Sequence, residues 1–273
     1  MTKAKTVYVP LDGSERAQTA LPPAVAVADR TGAALVLVSA PWTDGSPEAP
    51  CRYLDAQVAC LERPTRTWLV PERDAAEAVL LAAEAPGAIV CMATHGRGAL
   101  AGAVLGSVAE NVVRLSPTPV MLVGPDLDPH WQLGTNPTVL VGIDGSEQAR
   151  LAALAAGELA RSLGGRVRLL EVVRPSDVVV VGRLPDLHVD MLESLSAELT
   201  RHGVEATYEI VDGFDAADML VRTEARNGAA IIAVGSHGRS GVSRAALGSV
   251  AMRTVRHARC PVLVVGPECA VRA

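Results

Sequence analysis

The two halves of the chain carry the same motifs in the same order. The segment VYVPLDGSE at Val7–Glu15 returns as VLVGIDGSE at Val139–Glu147, and PVMLVGP at 119–125 returns as PVLVVGP at 261–267. A repeat of this length is too long for a solenoid and suits a whole small domain. The chain is therefore predicted to contain two similar domains, and each half serves as a control for the other.

Each half alternates short apolar runs with segments of helical periodicity. This alternation predicts parallel strands joined by right-handed crossovers. Aromatic residues make up only 3% of the chain, so the core depends on Ala, Val, Leu and Ile, as in a buried parallel sheet. We predict an α/β protein of two tandem Rossmann-like domains, each with a five-stranded parallel sheet and helices on both faces. The domains are placed at 1–125 and 138–273, and 126–137 is the linker.

The last strand of each predicted sheet is apolar throughout. These strands, Val120–Val123 and Val262–Val265, would each be an adhesive edge in a lone domain. Because both halves have such a strand, the two edges can pair and cover each other. We therefore expect the halves to form an internal pseudo-dimer.

Composition argues against several classes of protein. The formal net charge is -5 and the basic residues are scattered, which argues against nucleic acid as a partner. There is no apolar stretch long enough to span a bilayer and no signal-peptide core, so no membrane partner is expected. The 5 cysteines are odd in number and form no CxxC pair, which favours the cytoplasm.

A glycine-rich constellation follows the fourth predicted strand of the second half. It reads Gly235-Ser236-His237-Gly238, nine residues, then Gly248-Ser249. The first glycine follows a strand, where backbone can approach a ligand closely. The last pair opens a helix, whose free N–H groups favour an anion. Asp144, at the tip of the first strand, faces the same crevice, so the sequence predicts a phosphate cradle with a carboxylate for a ribose or base.

Purely structural interpretations of these residues remain open. Ser107 and Glu110 have the spacing of a capping box that starts a helix. Asp12 and Asp144 have the residue type that caps the helices after them. Their joint recurrence in both halves at fixed spacing nevertheless favours nucleotide binding.

Histidines and arginines in the glycine-rich loops are weaker candidates. His95 and His237 are lone histidines in their halves, which favours a place at the loop rim over metal binding or catalysis. Arg97, Arg239 and Arg244 are equally consistent with solvent exposure and with phosphate contact. No catalytic residue and no metal ligand is assigned.

Gly-x-x-Gly, nine residues and Gly-Ser, with an upstream strand that ends in Asp and a Gly-Ser turn, resembles the universal stress protein family. The resemblance covers nearly the whole chain as two tandem domains. It implies an adenine nucleotide alpha hydrolase-like fold that binds ATP, with or without Mg²⁺, at one site per domain. It also implies a cytoplasmic regulator of stress or dormancy that acts on a protein effector. Many members of the family dimerise through the last strand, so a further homodimer is a possible assembly.

The resemblance transfers site residues to both halves by position. In the second half the adenosine lies against Ile143 and Asp144, the adenine against Val172, and the phosphates against the glycine-rich loop. The complete second site comprises Ile143, Asp144, Val172, Val234, Gly235, Gly238, Arg239, Gly248, Ser249 and Val250. The complete first site comprises Leu11, Asp12, Ala40, Met92, Ala93, Gly96, Arg97, Gly106, Ser107 and Val108.

One departure distinguishes the halves. The first half has Ala93 where the pattern requires the glycine found at Gly235. A methyl group there would cost on the order of 1 kcal/mol if the backbone required positive φ, and more if it met the ligand. We therefore expect the second site to bind more tightly.

Two alternatives to a nucleotide-binding regulator are a slow ATPase and a scaffold that binds no nucleotide. The chain lacks the Gly-x-x-x-x-Gly-Lys-Ser/Thr loop of P-loop ATPases. It also shows no evident catalytic base or carboxylate pair for magnesium, so any hydrolysis is expected to be slow.

Overall fold

The computed structural model describes residues 5–42, 47–71, 73–96, 105–174, 186–238 and 247–269, with side chains of 186–188 left undescribed. In the first half the strands are β1 (Thr6–Pro10), β2 (Ala34–Ser39), β3 (Thr65–Leu69), β4 (Ala88–Ala93) and β5 (Val120–Val123). The helices of that half are α1 (Glu15–Gln18), α2 (Leu21–Thr31), α3 (Glu48–Ala59), α4 (Ala75–Ala83) and α5 (Ser107–Leu115).

The second half repeats this order. Its strands are β6 (Thr138–Ile143), β7 (Arg166–Val173), β8 (Glu205–Asp212), β9 (Ile231–Gly235) and β10 (Val262–Val265). Its helices are α6 (Glu147–Leu163), α7 (Asp186–Arg201), α8 (Ala216–Asn227) and α9 (Ser249–His257).

The strands form one 10-stranded sheet in the order β3-β2-β1-β4-β5-β10-β9-β6-β7-β8. Within each half all pairings are parallel, which confirms the predicted α/β fold. In the first half the chain moves outward from β1 through β2 to β3, then returns to place β4 on the other side of β1. The strand order therefore reverses between β1 and β4, and between β6 and β9 in the second half. Such reversals open a crevice at the carboxyl ends of the strands.

The two halves meet where their last strands pair. β5 and β10 run antiparallel, with Val262 opposite Leu122, Leu263 opposite Met121 and Val264 opposite Val120. Every residue of both strands is buried. The prediction that these apolar edges cover each other is confirmed, and the two sheets become one.

Helices pack on both faces of this sheet. One face carries α1, α2, α3, α6 and α7, whose buried residues form a single cluster that runs through both halves. The opposite face carries α5, α8 and α9 and part of α4. Among the described residues, no helix is both long enough and apolar enough to cross a membrane.

The first helix after the Asp-Gly-Ser turn differs between the halves. In the second half α6 is a continuous helix of 17 residues. In the first half α1 is 4 residues long, and α2 starts again at Leu21 with proline in its first turn. Pro22 and Pro23 explain the break, because proline fits the first turn of a helix but not its interior.

The segment 126–137 packs against its surroundings. The indole N–H of Trp131 donates to the carbonyl of Ala230 at 2.9 Å, and Arg259 donates to the Asp128 carboxylate at 2.6 Å. Arg30 of α2 donates to the carbonyls of Gly134, Thr135 and Leu163. This segment is thus fixed to the second half, and Arg30 ties it to the first.

Glycines after the two paired strands allow the halves to approach. A Cβ on Gly266 would overlap the Val113 carbonyl oxygen of α5, and one on Gly124 would overlap the Val255 carbonyl oxygen of α9. Each of these glycines therefore packs on the last helix of the other half. Backbone atoms cannot yield there as the end of a flexible side chain could.

We predict that Gly266→Ala destabilises the protein by at least about 3 kcal/mol, because the methyl group would push the halves apart. The matched control is Gly32→Ala, where φ is +70° and a Cβ would meet no atom within 4 Å. That variant should cost only the left-handed strain of about 1–2 kcal/mol. Urea unfolding followed by circular dichroism measures both. Equal losses would contradict the close approach of the halves.

Candidate functional site

Each half has a pocket at the carboxyl ends of its strands, at the crevice where the strand order reverses. The first pocket brings together the predicted residues Leu11, Asp12, Ala40, Met92, Ala93, Gly96, Gly106, Ser107 and Val108. The second brings together Ile143, Asp144, Val172, Val234, Gly235, Gly238, Gly248, Ser249 and Val250. The remaining candidates, Arg97, Arg239 and Arg244, lie outside the described residues.

The aspartate at the tip of the first strand joins three parts of each pocket. In the second half one oxygen of Asp144 accepts from the Ser146 amide at 3.0 Å and from its hydroxyl at 2.6 Å. The other oxygen lies against Gly238, where an added Cβ would overlap it. Gly145 makes the intervening turn possible, since its φ of 78° is rarely adopted by other residues. The carboxylate therefore lies between the glycine-rich loop and the turn that starts α6.

The first half repeats this arrangement around Asp12. Its carboxylate accepts from the Ser14 amide at 3.0 Å and from the Ser14 hydroxyl at 2.7 Å, and it lies against Gly96. The helix caps themselves are Ser14 and Ser146, which accept from the amides three residues on. The aspartates are thus not the helix caps. Each aspartate accepts hydrogen bonds from the capping serine and so orients it.

The helix beside the glycine-rich loop begins without a side-chain cap in both halves. Gly106 and Gly248 are the N-cap residues of α5 and α9, and glycine has no side chain with which to cap the first turn. The capping box predicted from Ser107 to Glu110 is therefore wrong, because Ser107 is already the first helical residue. A glycine stands at this cap because a Cβ would come within 3.2 Å of the Thr94 carbonyl in the first half.

An uncapped helix start creates an electrostatic feature of the pocket. The first-turn amides of α5 and α9 belong to residues that line the pockets, Ser107 and Val108 in one half and Ser249 and Val250 in the other. Unpaired N–H groups and the positive end of the helix dipole favour a bound anion. This end of each pocket is suited to a phosphate group.

The structure changes the explanation of the Ala93 and Gly235 difference. The backbone at Gly235 is not left-handed, and a Cβ there would come within 2.9 Å of the Gln148 backbone of α6. Gly235 is thus required by the close passage of α6 and not by positive φ. In the first half Ala93 takes the equivalent place at the end of β4, which packs on the short helix α1.

The two pockets nevertheless differ in size. The first has a cavity volume of about 160 Å³ and the second about 870 Å³. Pro10 and Met92 in the first pocket stand where the second has the smaller Gly142 and Val234. The second pocket also extends further along the ends of β7 and β8. It has more room for a ligand than the first.

Both histidines line the pockets and bond to the hydroxyl before them. His95 Nδ1 is 3.0 Å from Thr94 Oγ1, and His237 Nδ1 is 3.1 Å from Ser236 Oγ. In the described part of the chain, no group of three or more His, Cys, Asp or Glu residues could hold a metal ion.

One side of the second pocket was not predicted from the sequence. This side is lined by Arg174, Phe214, Asp215, Leu220 and Arg253. Among these residues only Phe214 stood out in the sequence, because it is the single phenylalanine of the chain. The other four are residue types found throughout the strands and helices. Desolvation raises the pKa of Asp215, but hydrogen bonds from backbone amides and the charge of Arg253 outweigh it and lower that pKa below its usual value.

Comparison with known proteins places the repeat in a family. The model of the Universal stress protein family matches residues 3–124 and again 135–266. A universal stress protein of Mycobacterium tuberculosis H37Rv is 36% identical over 185 residues, which cover 64% of this chain and 61% of that protein. The universal stress protein YxiE of Bacillus subtilis is 29% identical over 144 residues, covering 46% of this chain and 97% of that protein. The chain thus spans less than two thirds of the mycobacterial relative.

Solved structures share the fold over nearly the whole chain. A universal stress protein from Archaeoglobus fulgidus has a TM-score of 0.62 at 21% identity and covers 97% of this chain and 99% of its own. A protein from Pseudomonas aeruginosa described as a putative universal stress protein has a TM-score of 0.66 at 16% identity, with 97% and 94% covered. At these identities the likeness concerns the fold alone.

We predict that Gly235→Ala destabilises the protein by about 1–3 kcal/mol, because its methyl group would displace α6. Ala93→Gly should lose only the smaller entropic cost of a glycine, about 0.5–1 kcal/mol. Chemical unfolding of both variants measures the difference. A gain in stability from Ala93→Gly would show instead that Ala93 is strained.

Proposed function

Because the chain belongs to the universal stress protein family, we propose that it is a regulatory protein that binds ATP, with or without Mg²⁺. One adenine-nucleotide site lies in each domain, 1–125 and 138–273, with 126–137 between them. The nucleotide state would be read by a protein effector in a stress or dormancy response in the cytoplasm.

The observation that carries this proposal is the same three-part pocket in both halves. In each half an aspartate accepts from the serine that caps the next helix and lies against the glycine-rich loop. A second helix begins beside that loop at a glycine N-cap and presents its first amides there. In each half the pocket also has apolar walls, such as Val172 and Val234 in the second. Apolar walls suit a base and free amides suit phosphates. A nucleotide requires both.

The second site is expected to bind ATP more tightly than the first. The support for this ranking is now the larger volume of the second pocket and its arginines, Arg174 and Arg253. The difference between Ala93 and Gly235 does not support this ranking, because Gly235 is needed for the packing of α6.

A further homodimer would need a surface other than the last strands. Both β5 and β10 are already paired with each other inside one chain. The edges left by the sheet are β3 and β8. These strands are short or carry charged side chains such as Glu205 and Glu209, which disfavours edge-to-edge pairing.

Nucleotide carried through purification tests the proposal most directly. The purified protein is denatured by heat, and the released small molecules are separated by ion-pair chromatography. We expect an adenine nucleotide in the supernatant. A protein that releases none and shows no calorimetric response to ATP, ADP or cyclic AMP would support the scaffold alternative.

Ser249→Asp tests the phosphate end of the second site. Ser249 is the exposed first residue of α9, where a carboxylate interacts favourably with the helix dipole. The fold should therefore be kept or slightly stabilised, while repulsion of the phosphates weakens ATP binding at that site by at least about 10-fold, or about 1.4 kcal/mol. Isothermal titration calorimetry measures the affinity and thermal unfolding the stability.

Ser107→Asp is the matched variant of the first half, since Ser107 begins α5 in the same way. Each single variant should weaken ATP binding at one of the two sites, and the double variant should weaken it at both. Unchanged ATP affinity in the double variant would place the nucleotide elsewhere on the protein.

A further inference from the structure

The second pocket has an aromatic side chain at its mouth that the first lacks. Phe214, the only phenylalanine of the chain, lines this pocket and is 81% exposed. It is the most exposed of the large apolar side chains in the described residues. Most of the surface of this ring is therefore not covered by protein, although the residue lines the pocket.

The backbone on both sides of this ring is fixed. The Gly213 amide donates to the Val173 carbonyl at 2.9 Å, which continues the pairing of β8 with β7. Gly213 is packed so closely that a Cβ would come within 2.6 Å of Met219 and 3.1 Å of Val172. The phenylalanine therefore follows a rigid strand end directly beside Val172, a wall of the apolar part of the pocket.

Asp215 fixes the backbone that follows Phe214. Its carboxylate accepts from the amides of Ala217 and Asp218 at 3.1 and 3.3 Å, so it caps α8. The same carboxylate forms an ion pair with Arg253 of α9. This bridge joins the helix that follows Phe214 to the helix that begins at Ser249. The backbone that carries Phe214 is thereby tied to the helix at the phosphate end.

The first half has the same turn without these two features. Asp74 caps α4 as Asp215 caps α8, and the residue before it is Arg73. Arg73 forms an ion pair with Glu77 of its own helix at 3.7 Å and does not line the first pocket. The position equivalent to Arg253 is Asn111 in the first half, and this neutral side chain brings no charge to Asp74.

We propose that Phe214 stacks on the base of the nucleotide at the second site and makes that site dependent on the base. The inference rests on the proposed nucleotide function. Stacking on an aromatic ring contributes strongly to the binding of a base and requires only its π face. The ligand class is thus a purine nucleotide held at both ends, by Phe214 at the base and by α9 at the phosphates. The first site would bind mainly through its phosphate end.

The test compares ATP with inorganic tripolyphosphate, which has the phosphates and no base. Both affinities are measured by isothermal titration calorimetry in Ser107→Asp protein, where the first site is blocked. Phe214→Ala should weaken ATP binding about 10- to 100-fold and leave tripolyphosphate binding within about twofold. Phe214→Tyr should restore the ATP affinity, and Phe214→Leu should restore only part of it.

The first site supplies an internal control in Ser249→Asp protein. The ratio of ATP to tripolyphosphate affinity should be lower there than at the second site. ATP affinity unchanged by Phe214→Ala would overturn the stacking role while nucleotide binding stands. A parallel loss of ATP and tripolyphosphate affinity would overturn it too, since Phe214 would then act through the fold. Absence of ATP binding by the wild-type chain would overturn the proposed function and this inference with it.

Discussion

The pairing of β5 with β10 is the interaction on which the rest of the structure depends. Each half alone would end in a strand with unpaired backbone groups and an apolar surface on both faces. Antiparallel pairing satisfies these groups and makes the sheet continuous across the chain. It also brings α5 and α9 close to the glycines that follow β10 and β5, respectively. The helices that begin at the pockets therefore also hold the halves together.

The fold was predictable because its signals are repeated and local. Apolar runs, the prolines before the last strands and the Asp-Gly-Ser turns occur twice, and their order fixes a parallel α/β topology. The last strands, Val120–Val123 and Val262–Val265, were predicted with the bounds that the structure gives. The predicted residues that the structure describes line the two pockets, because they follow strand ends whose positions the topology determines. The side of the second pocket with Arg174, Phe214 and Arg253 was not predicted.

The errors concern contacts between segments distant in sequence. Ser107 and Glu110 have the spacing of a capping box, yet the preceding loop packs so closely that Gly106 is the cap. Gly235 is needed because the Gln148 backbone at the start of α6 passes beside it. Asp215 and Arg253 come together only through the packing of α8 on α9. Local spacing carries no information about such neighbours.

The antiparallel seam, formed by β5 and β10, determines how ligands bound in the two pockets would lie relative to each other. Strands on either side of the seam point in opposite directions, and each pocket lies at the carboxyl ends of its own strands. The two pockets therefore open on opposite edges of the molecule. Bound ligands would face away from each other and could share no phosphate contact or bridging side chain. A compact partner could reach one ligand at a time, so any communication between them would have to pass through the packed strands and helices of the seam.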